Sequence, residues 1–342
     1  MKPLLSILVP TYNRSSETAR ALRSILCQLD GVLAAKVHVI VSDNASSDNT
    51  DTVLRSFGDR ITYIRQEQNI GADANFAYLI DYSSSKYKWI FGSDDLLLKG
   101  ALSSIVSVLE SYPDIGLLHI KGMSSLDPSL DDQAVVRRLQ LQPNKSRFIE
   151  DVSIMITFIT ANIFNSELLP SGYQTTFGRA SCLMQLYPYL YALRSAKINA
   201  LMYGRLFSAQ AMNFTGGHKQ LEVFGPNLWQ IFNFFSANGL PLRAFYVVGS
   251  RMCVQFYPFY IAHSRSGAYS TLERDDDTFP RLVSIYKYNP WFWLASAPML
   301  FLGPSMLFVS QGFHLAYRGY RVILRGIDNA VDGLRAHFSQ KC

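Results

Sequence analysis

Two neighbouring carboxylates, Asp94 and Asp95, stand in the stretch Gly92-Ser93-Asp94-Asp95-Leu96, directly after a short apolar run. Adjacent acids at a strand end repel each other unless a counterion sits with them, and a hard divalent cation with oxygen ligands is the usual one. Such an ion, Mg2+ or Mn2+, bridges diphosphate oxygens and neutralises charge on a departing nucleoside diphosphate. An acidic pair also suits a loop or a helix cap without any metal. Two further apolar runs end in small polar residues, Pro10-Thr11-Tyr12-Asn13-Arg14 and Ser42-Asp43-Asn44-Ala45-Ser46-Ser47-Asp48. Short side chains let the backbone approach a base and ribose, and a carboxylate such as Asp43 accepts hydrogen bonds from a ring nitrogen or an amine. Ordinary turn chemistry is the other reading of Asp43 and Asn44. Three polar strand ends in a row favour function for the acidic pair.

The elements that would position these groups are legible in the first 120 or so residues, where short apolar runs alternate with helical patterns. Strands are predicted at 4–9, 37–42, 61–64, 89–91 and 115–120. Ala19, Leu22, Ile25, Leu26 and Leu29 recur at helical spacing behind Ser15 and Ser16 as N-caps, and further helices fit 50–57, 74–82 and 99–109. The pattern is that of a doubly wound α/β sheet, in which ligands bind beyond the carboxyl ends of the strands. A polar stretch at 124–144 interrupts it and reads as a loop. Residues 148–240 mix aromatic and apolar segments and are assigned to the acceptor side of the same domain.

The chain has 342 residues, enough for one elaborated domain or two smaller ones. Hydrophobic residues make up 49% and charged residues 17%, an apolar balance for a water-facing enzyme. The net charge of +6 comes with no long basic run, so a nucleic-acid partner is not expected, while a basic membrane-facing side fits. Cys27, Cys182, Cys253 and Cys342 lie far apart without metal-ligand spacing, which suggests neither a zinc site nor a disulfide framework. The apolar run at 4–9 is too short for a signal peptide and is cut by Pro10, so the expected compartment is the cytoplasm. Residues 288–317 contain no Asp, Glu, Lys or Arg and carry Trp291, Phe292, Trp293, Leu300, Phe301 and Leu302. That length would cross a bilayer, but Pro298 and Pro304 argue against one uninterrupted helix. A single crossing would also carry Arg318, Arg321 and Arg325 away from the cytoplasm. A kinked hairpin, or helices in the interface with Trp291 and Trp293 at headgroup level, avoids both objections, and a buried helix pair is the alternative.

The series Pro10-Thr11-Tyr12-Asn13-Arg14, Asp43-Asn44-Ala45-Ser46-Ser47-Asp48, Asn69-Ile70-Gly71 and Ser93-Asp94-Asp95 resembles the family 2 glycosyltransferases with the GT-A nucleotide-diphospho-sugar fold. Within that family Asn69-Ile70-Gly71-Ala72-Asp73-Ala74-Asn75-Phe76 and Gly92-Ser93-Asp94-Asp95 are similar to the abequosyltransferase-like group, which attaches deoxyhexoses during bacterial O-antigen assembly. The resemblance is strong over 4–120 and weak beyond. It implies a GT-A domain at 1–240, with a nucleotide-sugar half at 1–120 and an acceptor half at 121–240, followed by a helical, membrane-associated region at 241–342. It further implies that Pro10, Thr11, Tyr12, Asn13 and Asp43 hold base and ribose, that Asn69, Gly71 and Ser93 shape the donor pocket, and that Asp94 ligates the metal with help from Asp95.

The implied reaction moves a sugar from a nucleotide-diphosphate donor to a lipid-linked saccharide at the cytoplasmic face of the inner membrane. Two departures stand out. Many relatives read Asp-x-Asp-Asp where this chain has Gly92-Ser93-Asp94-Asp95, and the arginine that often follows the Asn-x-Gly motif is replaced by Ala74-Asn75. An inverting transfer also needs a carboxylate near the acceptor hydroxyl, yet no acid stands in Phe177-Gly178-Arg179-Ala180-Ser181-Cys182-Leu183. Glu167 and Glu222 are the substitute bases, and His218 is a further metal or phosphate candidate. Competing readings are a catalytically impaired scaffold of the same fold and a nucleotidyltransferase. The latter would carry a glycine-rich basic loop after the first strand, where this chain has Pro10.

Overall fold

A computed structural model describes residues 2–122, 132–173, 181–209, 220–265, 278–302 and 311–323. In chain order, the first part alternates β1 (Leu5–Thr11), α1 (Ser15–Leu26), α2 (Gly31–Ala34), β2 (Val37–Asp43), α3 (Thr50–Arg55), β3 (Thr62–Arg65), α4 (Ala72–Tyr82) and β4 (Tyr87–Ile90). It continues through β5 (Leu96–Leu97), α5 (Ala101–Ser111), β6 (Ile115–Lys121), β7 (Val135–Gln142), α6 (Lys145–Val152), β8 (Asn162–Asn165), α7 (Leu186–Ser195), β9 (Ile198–Arg205) and β10 (Phe207–Ser208). The rest is helical: α8 (Gln220–Glu222), α9 (Leu228–Ala237), α10 (Leu242–Arg251), α11 (Tyr257–Arg265), α12 (Thr278–Tyr286) and α13 (Ala297–Leu302), with π-helical turns at Val223–Asn227, Met252–Phe256 and Phe292–Ser296.

Contacts divide the chain into two compact units, one of Met1–Asn213 with Asn227–Phe245 and the other of Phe214–Pro226 with Tyr246–Cys342. The first is built on an eight-stranded sheet in the order β3-β2-β1-β4-β8-β6-β9-β7. Strands β3, β2, β1, β4, β6 and β9 run the same way, and β8 and β7 run against them. The carboxyl ends of β1, β2, β4, β6 and β9 therefore share one edge. The central strands read as apolar runs because both faces are covered: Leu5, Ile7, Val9, Val39, Val41, Tyr87 and Trp89 lie in one core with Leu22 and Ile25 of α1 and Leu102 and Ile105 of α5.

The five predicted strands and four helices all form, with shifted ends. β1 continues through Pro10 to Thr11, and Pro10 lies beyond the last β1–β4 pair, Leu8 with Ile90, where a missing donor costs that side of the sheet nothing. Ser15 and Ser16 are not N-caps; α1 begins at Ser15 behind Arg14, and the Ser15 amide donates instead to the Asp48 carboxylate at 3.4 Å. The 124–144 stretch is not a loop throughout, since 135–142 form β7 on the sheet edge, where Val135 to Arg138 face solvent and mask the strand pattern.

In the second unit, the charge-free segment is helical over 290–302, with a π-helical turn at Phe292–Ser296 and Pro298 inside α13, and 303–310 lie outside the described residues. Phe292, Ala295 and Met299 are buried, and Trp291 packs edge-on against Tyr317 at 4.9 Å. The Ser296 hydroxyl donates to the Cys253 carbonyl at 2.6 Å, and Tyr257 donates to the Phe224 carbonyl at 2.8 Å. Among the described residues no helix is long and apolar enough to cross a membrane. Phe292 and Arg321, expected at a lipid surface, are interior side chains of this unit. Trp293, Leu294, Leu315, Val322 and Ile323 remain exposed. Pro304 and Arg325 lie outside the described residues.

Candidate functional site

Asp43 closes β2 with its side chain fully buried. One carboxylate oxygen accepts from the Ser46 amide at 2.9 Å and the Ser46 hydroxyl at 2.5 Å. The other accepts from the Tyr63 hydroxyl at 3.1 Å and the Arg65 guanidinium at 3.3 Å. A buried charge persists only with such partners. Burial, then the bond to Asp51, then the charge of Asp43 raise the Tyr63 hydroxyl pKa, which keeps it a donor. All four bonds are internal, so Asp43 sets the shape of the turn at 44–47, where Ala45 takes a positive φ of 61°.

The other polar motifs are knitted to this turn. Asn13, at φ 51°, donates its amide to the Ser46 hydroxyl at 2.8 Å and accepts at its side-chain oxygen from the Ser47 amide at 2.8 Å. Asn44 donates to the Asn69 side-chain oxygen at 2.8 Å and accepts from the Ile70 amide at 2.9 Å, and the same Asn69 oxygen accepts from the Gly71 amide at 2.9 Å. Gly71 precedes α4 at φ 85° with open space around it, so glycine serves conformation there rather than clearance. Thr11 is buried against Thr18 at 2.7 Å, and Tyr12 is exposed.

At the end of β4, Asp94 pairs with Arg14 at 2.6 Å, and both side chains keep partial exposure. Asp95 is only 4% exposed and accepts a hydrogen bond from the Thr160 hydroxyl. That hydroxyl accepts in turn from the Gly92 amide at 2.9 Å. A Cβ at position 92 would stand 2.6 Å from the Asp95 carboxylate and 3.2 Å from the Thr160 hydroxyl. Glycine at 92 and the buried Asp95–Thr160 pair therefore fit together, and a side chain at 92 would need one of the two to move. Ser93 is buried between them in sequence. Among the described residues no group of three His, Cys, Asp or Glu side chains could hold a metal ion alone. Asp94 fits the mode in which one carboxylate shares a cation with substrate phosphates and water.

The acceptor-side candidates fare differently. β8 runs against β4, pairing Asn165 with Tyr87, so Glu167 lies at the amino end of β4, on the opposite edge from Asp94, beside Lys86 at 3.9 Å. Topology removes it as the base. Glu222 belongs to the second unit, where it pairs with Arg281 at 3.2 Å. His218 and 177–180 lie outside the described residues.

Four contributors were not singled out from sequence. Arg14 sets a guanidinium against Asp94 at 2.6 Å, while Asn75 braces β2 through Ser42 at 2.6 Å. Thr160 holds Asp95. Asp73, buried in the first turn of α4, accepts from the Cys182 amide at 2.9 Å, the Ser181 hydroxyl at 3.3 Å and the Met184 amide at 3.4 Å. An acid two residues past Gly71, at the start of a helix, was the available signal for Asp73. No local signal marks Thr160.

Residues 6–158 match the family described as glycosyl transferase family 2. Over 118 residues the chain is 36% identical to abequosyltransferase RfbV of Salmonella typhimurium, covering 33% of this chain and 35% of that protein. It is 35% identical over 108 residues to the GalNAc(5)-diNAcBac-PP-undecaprenol beta-1,3-glucosyltransferase of Campylobacter jejuni, covering 30% and 34%. The matches thus span about a third of the length of these curated relatives. The crystal structure of S. aureus TarS 1-349 in complex with UDP-GlcNAc superposes with a TM-score of 0.54 at 16% identity, over 83% of this chain and 79% of that one. The fold is the GT-A fold.

Proposed function

We propose that the chain, whose residues 6–158 match glycosyl transferase family 2, moves a sugar from a nucleotide-diphosphate donor to a lipid-linked glycan during assembly of a bacterial surface polysaccharide. The observation that carries this reading is the convergence, within the matched segment, of the polar ends of β1, β2 and β4 into one bonded network beside the Arg14–Asp94 pair. Loops 11–14, 44–47 and 69–71 form the base and ribose pocket, Asp43 and Asn69 holding its shape. Arg14 would turn from Asp94 to the donor diphosphate, and Asp94 would hold a divalent cation, Mg2+ or Mn2+, together with the donor. When bound, that ion neutralises the leaving diphosphate. Asp95, fixed by Thr160, backs Asp94 from the interior. A relative named for abequose transfer supports a deoxyhexose donor, and one named for an undecaprenol-linked substrate supports a lipid-linked acceptor.

A membrane-held acceptor is met most simply by an enzyme at the cytoplasmic face of the inner membrane. Exposed Trp293, Leu294, Leu315, Val322 and Ile323 in the helical unit support this. Each would contribute about 1.5 to 3 kcal/mol if fully buried in lipid, and exposed Arg318 would add roughly 1 kcal/mol against anionic headgroups. Cell fractionation checks it, and a wholly soluble protein rules it out.

The donor reading is tested by thermal shift with UDP, GDP, CDP and dTDP. One nucleotide should raise the unfolding temperature in a way that depends on added Mn2+ or Mg2+. Failure of all four, with and without metal, defeats it.

A further inference from the structure

The edge that carries the donor site carries a second opening. At the carboxyl ends of β6 and β9 a cavity of about 420 Å3 is lined by Lys121, Gly122, Arg137, Tyr203, Gly204 and Arg205, together with Val135. Among the described residues every charged side chain in that lining is basic. Arg137 and Arg205 are exposed, and neither guanidinium has an ion-pair or hydrogen-bond partner among the described residues. The Lys121 ammonium donates to the Asp151 carbonyl at 2.6 Å and lies 5.6 Å from the Tyr203 ring, over which Arg138 stacks at 4.2 Å.

The floor is bare backbone. Gly122 has φ 135°, and a Cβ there would meet the Gly204 carbonyl oxygen at 2.4 Å. A Cβ on Gly204 would meet the Val135 carbonyl oxygen at 2.1 Å. Two glycines thus let three strand ends close up, leaving a cup with cations on its rim. Planar guanidinium forks match phosphate oxygens two at a time.

We infer that this cup binds the phosphate or diphosphate group of the acceptor. The inference rests on the transferase reading and names the acceptor's anionic part. Three strand spacings of about 4.8 Å separate β4 from β9, roughly 14 Å in all, so a donor diphosphate held at Asp94 does not occupy the cup as well. A second anion must come from the other substrate.

The test is calorimetric titration of the full chain with inorganic pyrophosphate at low salt, on the parent, Arg137→Gln/Arg205→Gln and Arg14→Gln. The double variant should bind about tenfold or more weakly, Arg137→Lys/Arg205→Lys should recover part of the loss, and Arg14→Gln should keep the binding. Unchanged affinity in the double variant, or binding lost only in Arg14→Gln, overturns the site. Thermal unfolding of each variant separates lost binding from lost fold. In a transfer assay the double variant should raise the acceptor KM and leave the donor KM in place; a raised donor KM instead assigns the cup to the donor and overturns the inference. If the parent transfers no sugar to any acceptor, the transferase reading fails while the pyrophosphate result still decides whether the cup binds an anion.

Discussion

At the ends of β1 and β2 the polar side chains bond to one another, whereas at the ends of β6 and β9 the cations of Arg137 and Arg205 have no partners within the described protein. On the proposed reading the first region recognises its ligand by shape. Its hydrogen bonds fix backbone positions before any ligand arrives, and their buried geometry makes it insensitive to salt. The second recognises by charge, which is exposed and screened. Asp94 and Arg14 stand between these extremes, a charged pair that is bonded yet partly exposed and so able to exchange partners.

The largest expected effect comes from breaking that intermediate. Asp94→Asn should lower transfer by about a hundredfold or more while keeping the fold, because Arg14 retains solvent. Steady-state rates at saturating metal check this, and a variant at the parental rate removes Asp94 from the chemistry. The shape-based region is broken by Asp43→Ala, which strands the donors of Ser46, Tyr63 and Arg65. A loss of about 3 kcal/mol in urea unfolding is expected, the scale for removing one partner of a buried charge network. Donor affinity should fall further than the turnover of bound donor. A variant as stable as the parent would mean that the turn is held by something else.

The β6 region has its own signature in acid. His119 on β6 is buried, and burial, opposed by its bond to Asn162 at 2.9 Å, lowers its pKa from 6.5 to about 4. The unfolded chain takes the proton first, so this group's stabilisation is complete above pH 6.5 and is lost as the pH falls towards 4. The shift corresponds to about 3 kcal/mol across that window. His119→Gln should be less stable at neutral pH and lose less between pH 7 and 5 than the parent. Parallel pH profiles of unfolding would refute the assignment. The smallest effect sharpens the comparison from outside: Glu167→Gln, on the opposite edge, should change turnover by less than about twofold, within the range of surface substitutions.

The first 120 residues were legible because β1, β2 and β4 are buried on both faces and read as apolar runs followed by Pro, Asn and Asp. The site within them was legible only as a set of strand ends. Arg14 with Asp94, and Thr160 with Asp95, are separated by 80 and 65 positions, and no periodicity links such pairs. Glu167 was misplaced because a four-residue strand carries no mark of its direction, and β8 reverses it. β7 was missed because an edge strand with an exposed Val-Val-Arg-Arg start has no apolar alternation to show.

The Gly92, Asp95 and Thr160 arrangement ties three positions to one another. A third acid at position 92, as in the Asp-x-Asp-Asp pattern, requires that the Asp95 carboxylate or the Thr160 hydroxyl shift, because its Cβ would stand 2.6 Å from one and 3.2 Å from the other. Either preparatory step alone leaves a buried polar group without its partner. The three positions are therefore coupled, and the effect of an acid at 92 depends on what stands at 95 and 160.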